Sequence, residues 1–488
     1  MKVLFIFKSE NFLAPIGLCR ISAVARREGH DVFLCEINTE DPLCRVSRMR
    51  PDVIAYSSST GEAKHYLRLN KRIKEKFPSV FTIMGGPHPT FFPEMHNANK
   101  DLDAICIGEG EGAFSDVLKA VSSGKSVKGI PNIATPGTNA WTLRPLVDDI
   151  DSLPFPDYSL LYDNTKMGKY PLKNFIASRG CPYSCTYCFN PAWNRMYRGL
   201  GKVVRRHSVD YVIEDIERVK KRWPLSNVKF YDDIFCCRAD RWLEDFSKKY
   251  RERIGLPFFI LTRADLLTEE MVRLLKYAGC RTISMSIEAG NEKIRNKLLK
   301  RNMTDEQIKN AHRLCKKYDI MTFTNCIIGL PQTNIANDIE SIDLSIECGV
   351  DWVEFLIFHP YPKTELGERC EQMSLYTPDY EKMHTSYMYG SPLKGFTAKE
   401  RNAHRNISAL GAVAVVIPKC RNLIVNRLIY SIHRRFFTMV YYLVKMYVIR
   451  HRIYVTKTDV FNSMSIFLRS LKQEFFRHEQ KDVLEKNE

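Results

Sequence analysis

The chain has 488 residues, 44% hydrophobic and 26% charged, which is too long for a single hydrophobic core and too apolar for disorder, so about two to four folded domains are expected. A net charge of +17 would suit nucleic acid, but residues 401–488 alone hold 16 Lys+Arg against 6 Asp+Glu, a net of +10. More than half of the excess therefore sits in one tail, which fits an anionic surface or partner better than nucleic acid, and no nucleic-acid partner is expected.

The opening "MKVLFIFKSENF" is not followed by the small-residue pattern of a signal cleavage site, so a cytoplasmic protein is expected, peripheral to the membrane at most. In that compartment fifteen cysteines read as free thiols or metal ligands rather than as a disulfide framework.

Residues 1–125 alternate strand and helix signals. Apolar β-rich runs occur at "KVLFIF", "DVFLCEI", "DVIAYSS", "VFTIMGG" and "DAICIGEG", with helical spacing at about 17–28 and 62–77. This predicts a doubly wound, Rossmann-like parallel sheet that binds a ligand at the carboxyl ends of its strands. At those ends Ser57, Ser58, Ser59 and Thr60 offer hydroxyl donors, and Gly85 and Gly86 let backbone approach a bulky group. A Gly-Gly pair alone is also an ordinary turn.

Residues 126–170, rich in Pro, Gly, Asp and Ser and including "PFPDYS", read as a linker. Over 171–375 the runs "KNFIASRG", "NVKFYDD", "PFFILTR", "TISMSIEA", "MTFTNCIIG" and "WVEFLIFHPYP" are separated by amphipathic helices, which predicts a partial (β/α)6 TIM-like barrel with functional residues at the strand ends. Residues 376–488 read as a helical, basic, aromatic-rich region. Its apolar stretch from Asn422 to Val455 is interrupted by Arg427, His433, Arg434, Arg435 and Lys445, so no run of about twenty uncharged residues exists to span a bilayer. Buried helices of a third small domain are expected there, or else an amphipathic surface that touches membrane or an apolar substrate.

The densest chemical signal is "SRGCPYSCTYCFN", in which Cys181, Cys185 and Cys188 fall in CxxxCxxC spacing directly after a strand-like run. Three thiolates on one tight loop can bind three irons of a cubane and leave the fourth open. A structural zinc site wants four ligands, and a second pair at comparable spacing is not evident.

This loop resembles the signature of the radical S-adenosylmethionine (SAM) superfamily, and the resemblance extends over about residues 170–365. It implies a [4Fe-4S] cluster on Cys181, Cys185 and Cys188 whose open iron chelates the amino and carboxylate groups of SAM, with Tyr187 near the adenine. "KFYDDIF" resembles the superfamily's second-strand segment and implies Asp232 and Asp233 near the SAM amino group. "SMSIEAGNEKIR" resembles the fourth-strand segment and implies Glu288 at the ribose or methionine end, and "NCIIGLPQT" resembles the fifth, near the adenine. Each carboxylate alone also reads as a salt-bridged acid at a strand end.

The stretches "APIGLCRISAVARREGHDV", "PDVIAYSSSTG", "IMGGPHPTFFPE" and "ICIGEGEGAF" resemble, in that order, the cobalamin-binding domain that precedes many radical SAM barrels. This implies cobalamin at Ser57, Ser58, Ser59, Thr60, Gly85 and Gly86. One departure stands out: "FKSENFLAPIG" lacks the Asp-x-His-x-x-Gly motif that supplies a histidine beneath cobalt. His88 follows a different strand and is expected as a surface or turn residue.

The resemblance implies C-methylation of an unactivated carbon through a 5′-deoxyadenosyl radical and methylcobalamin, with an external electron donor such as flavodoxin or ferredoxin. The alternative is a cyclisation or ring rearrangement of the kind attributed to anaerobic magnesium-protoporphyrin cyclases; a second is a non-enzymatic cobalamin or redox sensor. A methylthiotransferase would carry a second cysteine set in its first domain, where Cys19, Cys35, Cys44 and Cys106 are scattered. The aromatic tail tilts the expected substrate toward an apolar molecule; a lipid, polyketide, peptide or tetrapyrrole is compatible.

Overall fold

A computed structural model describes residues 1–8, 14–138, 140–379, 388 and 390–454. The tail from Val455, which closes the apolar stretch, lies outside the described residues. The chain divides into two compact units, the first built mainly from Met1–Ile176 and Ala192–Pro224, the second from Ala177–Pro191, Leu225–Pro378 and the C-terminal helices.

In the first unit the strands are β1 (Lys2–Phe7), β2 (Asp31–Glu36), β3 (Val53–Ser57), β4 (Phe81–Gly85), β5 (Ala104–Cys106) and β6 (Ile133–Ala134). They form one sheet in the order β2-β1-β3-β4-β5-β6, parallel except for the antiparallel edge strand β6. Val3–Ile6 and Val53–Tyr56 are buried without alternation, as strands covered by helices on both faces must be. Two of the covering helices, Ile16–Arg27 and Ala63–Lys76, fall where helical spacing placed them. Strand order reverses between β1 and β3, so the crevice of the fold opens beyond the carboxyl ends of those strands. Ser57 ends β3 and is paired with Gly85, the last residue of β4.

The segment 126–170 is not a free linker. β6 extends the sheet, and the helix Tyr158–Tyr162 buries Tyr158, Leu160, Leu161 and Tyr162, while Asp157 accepts hydrogen bonds from Ser22 Oγ (2.6 Å) and Arg26 Nε (2.7 Å). Residues 192–224 also join the first unit, although sequence patterning assigned them to the barrel. The buried His207 meets Arg20 at 3.0 Å and Asp151 at 2.6 Å, and the buried Arg205 pairs with Glu109 at 2.7 Å. Proline and aspartate report turns; they do not report what the apolar residues between them pack against.

β7 (Leu172–Phe175) closes the first unit's main segment. The second unit holds β8 (Asn227–Phe230), β9 (Phe258–Thr262), β10 (Cys280–Met285), β11 (Met321–Ile328) and β12 (Trp352–Ile357), parallel neighbours in sequence order, the arrangement of a half-barrel. The expected strand at "KNFIASRG" is interrupted, with Ser178–Arg179 a separate two-residue strand. Helices Arg241–Lys249, Glu269–Ala278, Asp305–Lys317 and Ile335–Glu347 start at side-chain caps from Asp240, Thr268, Thr304 and Asn334. One sheet face packs Phe230 and Phe258 against Phe246 and Tyr250. The other stays half open: Met321, Phe323, Asn325 and Ile327 alternate with buried neighbours along β11, as do Glu354 and Leu356 on β12.

The C-terminal helices belong to this second unit instead of making a third domain. Helix Ala398–Val416 packs so closely on β12 that a Cβ at Gly411 would stand 2.7 Å from Phe355. Helix Arg434–Val448 buries Phe437, Tyr441 and Val448. Among the described residues no helix is long and apolar enough to cross a membrane.

Candidate active site

The cysteine loop is held by its neighbours in the second unit. Thr186 donates its backbone N–H to Leu299 O (3.2 Å) and its hydroxyl to Leu298 O (2.7 Å), and its own carbonyl accepts from Leu366 N (2.8 Å). Within the loop, Cys188 N reaches Cys185 O at 3.2 Å, and Cys188 Sγ accepts from Asn190 N (3.5 Å) and Nδ2 (3.6 Å). Cys185 is buried between two guanidinium groups, Arg301 at 3.8 Å and Arg263 at 3.9 Å from its sulfur. Arg263 is itself braced by Asp265, by Arg301 O and by the ring of Tyr183, 3.8 Å below its guanidinium carbon.

Burial pushes the Cys181 thiol up to about 11 and that of Cys188 up to about 12, so ligation would displace protons from both. Among the described residues no three Cys, His, Asp or Glu side chains converge as they stand on a single ion; the three thiols share one loop. Three thiols without a fourth ligand, with two fixed positive charges against one sulfur, suit an anionic cubane with one open iron. They do not make a closed zinc site.

Sequence reasoning singled out neither arginine. Arg263 closes the run "PFFILTR" at a strand end, a position that could have flagged it, whereas Arg301 follows a short π-helical turn and carries no local signal.

Tyr187 and Glu288 are brought together, the tyrosine hydroxyl donating to Glu288 Oε1 at 2.7 Å. Glu288 is buried and its backbone is left-handed, φ +65°, which a non-glycine residue adopts only under constraint. The constraint is visible. Glu288 N donates to Asn325 O (3.0 Å) and its carbonyl accepts from Ile327 N (2.7 Å), which clamps it against β11. Burial raises its carboxyl above the usual range, while Arg301 and the Tyr187 hydroxyl pull the other way.

The two aspartates separate. Asp232 is buried and accepts from Ala177 N (3.0 Å) and Ser178 Oγ (2.5 Å), so its carboxylate is occupied by the chain entering the cysteine loop, and burial raises it to about 6. Asp233, the next residue, is exposed and takes hydrogen bonds from the Asn190 side chain and the Gly180 backbone.

In the first unit, Ser58 and Ser59 spend their hydroxyls locally, on Ser59 O (2.9 Å) and Glu62 Oε2 (2.8 Å). Thr60 is buried at the same strand end. Gly86 has φ +95°, and a Cβ there would stand 2.9 Å from the backbone of Ser58, so its need for glycine arises within the chain. Among the described residues, Gly85 has Cys106 within reach of such a Cβ, at 3.7 Å. His88 is not a surface residue: it is 3% exposed on the short helix Pro87–Phe91, its ring lies 5.6 Å from Phe92, and burial lowers its pKa to about 4. Ser58, Ser59, Thr60, Gly85 and Gly86 lie at the carboxyl ends of β3 and β4, the edge at which sheets of this kind bind their ligands.

Comparison with known proteins matches the B12 binding domain to residues 3–118 and the Radical SAM superfamily to residues 175–359. The chain is 27% identical over 396 residues to an uncharacterized methyltransferase, PH0819, of Pyrococcus horikoshii, covering 79% of this chain and 84% of that protein. It is 26% identical over 390 residues to the anaerobic magnesium-protoporphyrin IX monomethyl ester cyclase of Rubrivivax gelatinosus, covering 76% and 67%. Among solved structures, the cobalamin-dependent S-adenosylmethionine radical enzyme OxsB, with aqua-cobalamin and S-adenosylmethionine bound, is alike in fold, with a TM-score of 0.66 at 17% identity over 98% of this chain and 75% of OxsB.

Proposed function

We propose, from the premise that this chain is a cobalamin-dependent enzyme of the radical SAM superfamily, that it methylates an unactivated carbon of its substrate. The observation that carries the reading is the similarity to a methyltransferase along 79% of this chain and 84% of the relative. When bound, the [4Fe-4S] cluster with SAM supplies a hydrogen-abstracting radical, and cobalamin supplies a methyl group.

The chain's own part is to hold and orient these groups. In this reading Cys181, Cys185 and Cys188 hold the cluster, and Arg263 and Arg301 offset its negative charge at Cys185. Tyr187, Glu288 and Asp233 contact SAM, and Asp232 supports the loop beneath by holding Ala177 and Ser178. Ser57, Ser58, Ser59, Thr60, Gly85 and Gly86 receive cobalamin at the carboxyl ends of β3 and β4 in the first sheet. Electrons come from an external donor such as flavodoxin or ferredoxin, and fifteen free cysteines fit the reducing cytoplasm.

A cyclisation or ring rearrangement is the rival, favoured by the likeness to the Rubrivivax cyclase. The products of SAM separate the two. Under reducing, anaerobic conditions with cell extract as the source of substrate, near-equal S-adenosylhomocysteine and 5′-deoxyadenosine with a product heavier by one methylene support methylation. Deoxyadenosine alone, with a turned-over but unmethylated product, overturns it in favour of the rival.

A further inference from the structure

Lys229 is an unusual residue for the middle of a barrel strand. Burial alternates along this stretch: Val228, Phe230 and Asp232 are buried, whereas Lys229, Tyr231 and Asp233 lie on the face that stays half open. The Lys229 ammonium stands over three rings, 4.5 Å from the centroid of Tyr231, 4.7 Å from Phe259 and 5.7 Å from Tyr454. Its polar contact among the described residues is the Tyr231 hydroxyl at 3.4 Å.

The nearby carboxylate does not neutralise it. Glu354 already accepts from Lys445 Nζ (2.8 Å), from Trp352 Nε1 (2.7 Å) and from the Tyr441 hydroxyl. Among the described residues two ammonium groups and one carboxylate leave one positive charge in an aromatic surround, where a cation is costly until an anion joins it. Rings stabilise it only in part.

The other end of this face leads to the chemistry. Asp233, four residues on, is hydrogen-bonded into the cysteine loop through Gly180 and Asn190; at roughly 3.3 Å per extended residue that end lies on the order of 13 Å from Lys229. Aromatic and aliphatic side chains line much of the way between, with Asn325 among them on the same face of β11. Phe259 meets Phe323 at 5.9 Å, and Ile327, two turns of the pleat further along β11, packs in one cluster with Tyr187.

We infer that Lys229, with Tyr231, anchors the anionic end of the substrate: an elongated, mostly apolar molecule with a terminal carboxylate or phosphate, its body lying along Phe259, Phe323 and Ile327 toward the cysteine loop. The inference rests on the proposed function only in taking this face of the half-barrel as the substrate's.

Isothermal titration calorimetry of the anaerobic holoenzyme with decanoate, decyl phosphate and 1-decanol as probes tests it. At least one anion is expected to bind about tenfold or more tightly than the alcohol. Lys229→Met removes that preference and Lys229→Arg keeps it, with cluster absorbance and circular dichroism reporting an intact fold. Decanoate or decyl phosphate alone identifies the head group. Equal binding of the alcohol, no binding of either anion, or a preference that survives in Lys229→Met overturns the inference, and the wild-type comparison stands even if a variant fails to fold. Binding is read without turnover, so its failure leaves the product test of methylation untouched.

Discussion

The hydroxyl of Tyr187 donates to Glu288 Oε1 across 2.7 Å, which joins the residue before the third cysteine of the loop to the end of β10. The pair forms one wall of the proposed SAM site. Glu288→Gln is expected to weaken SAM binding by about tenfold or more, the cost of losing a charged hydrogen-bonding group, with iron content unchanged. Anaerobic equilibrium dialysis with SAM measures this; an unaltered dissociation constant would remove Glu288 from the site.

Replacing Cys181, Cys185 and Cys188 together by Ala is expected to abolish the cluster, since this triplet has cluster spacing on one loop. Iron analysis and visible absorption of the anaerobically purified variant decide it. Wild-type values would show that the assignment is wrong.

Arg301 stands 3.8 Å from Cys185 Sγ. Arg301→Met takes a positive charge from beside an anionic cluster, so the cluster becomes harder to reduce and its potential falls, on the order of tens of millivolts. A redox titration followed by electron paramagnetic resonance reads the shift, and an unchanged or higher potential contradicts the role given to this arginine.

No histidine is expected beneath cobalt. The loop after β1 has none in its sequence, and His88 is 3% exposed beside Phe92. Electron paramagnetic resonance of the Co(II) form should lack hyperfine splitting from a protein histidine nitrogen; its presence would reverse the ligation claim.

Asp215 is buried in the first unit, accepts from the Tyr158 hydroxyl at 3.1 Å and has its pKa raised by burial to about 7. The folded protein then keeps a proton that the unfolded chain has released. This carboxyl's contribution to stability is full at low pH, falls as pH rises from about 4 to about 7, and is level above that. Asp215→Asn lacks this dependence, so it should gain on wild type across that window, by up to about 4 kcal/mol at 1.36 kcal/mol per pKa unit. Denaturation at about pH 5 and about pH 8 measures the gain; a difference that does not grow with pH would refute it.

Local pattern was enough for much of this protein. The five apolar runs of the first sheet, the strand-end positions of Ser57 and Gly85 and the spacing of the cysteine triplet are written in neighbouring residues, because strand period, turn chemistry and ligand spacing act over a few residues at a time; Tyr187, Asp232, Asp233 and Glu288 are singled out by resemblance to a family, not by local pattern. Tertiary structure decided what depends on partners far apart in the chain. It folded 126–170 and 192–224 into the first unit through Asp157, Arg205 and His207, and packed Gly411 on Phe355 so that the C-terminal helices joined the second. It also buried His88, tied Asp232 to Ala177 and left Asp233 exposed, set Arg263 and Arg301 against Cys185, and gave Lys229 no carboxylate of its own among the described residues. Burial and charge pairing across such separations are properties of the packed chain, and no window of sequence carries them.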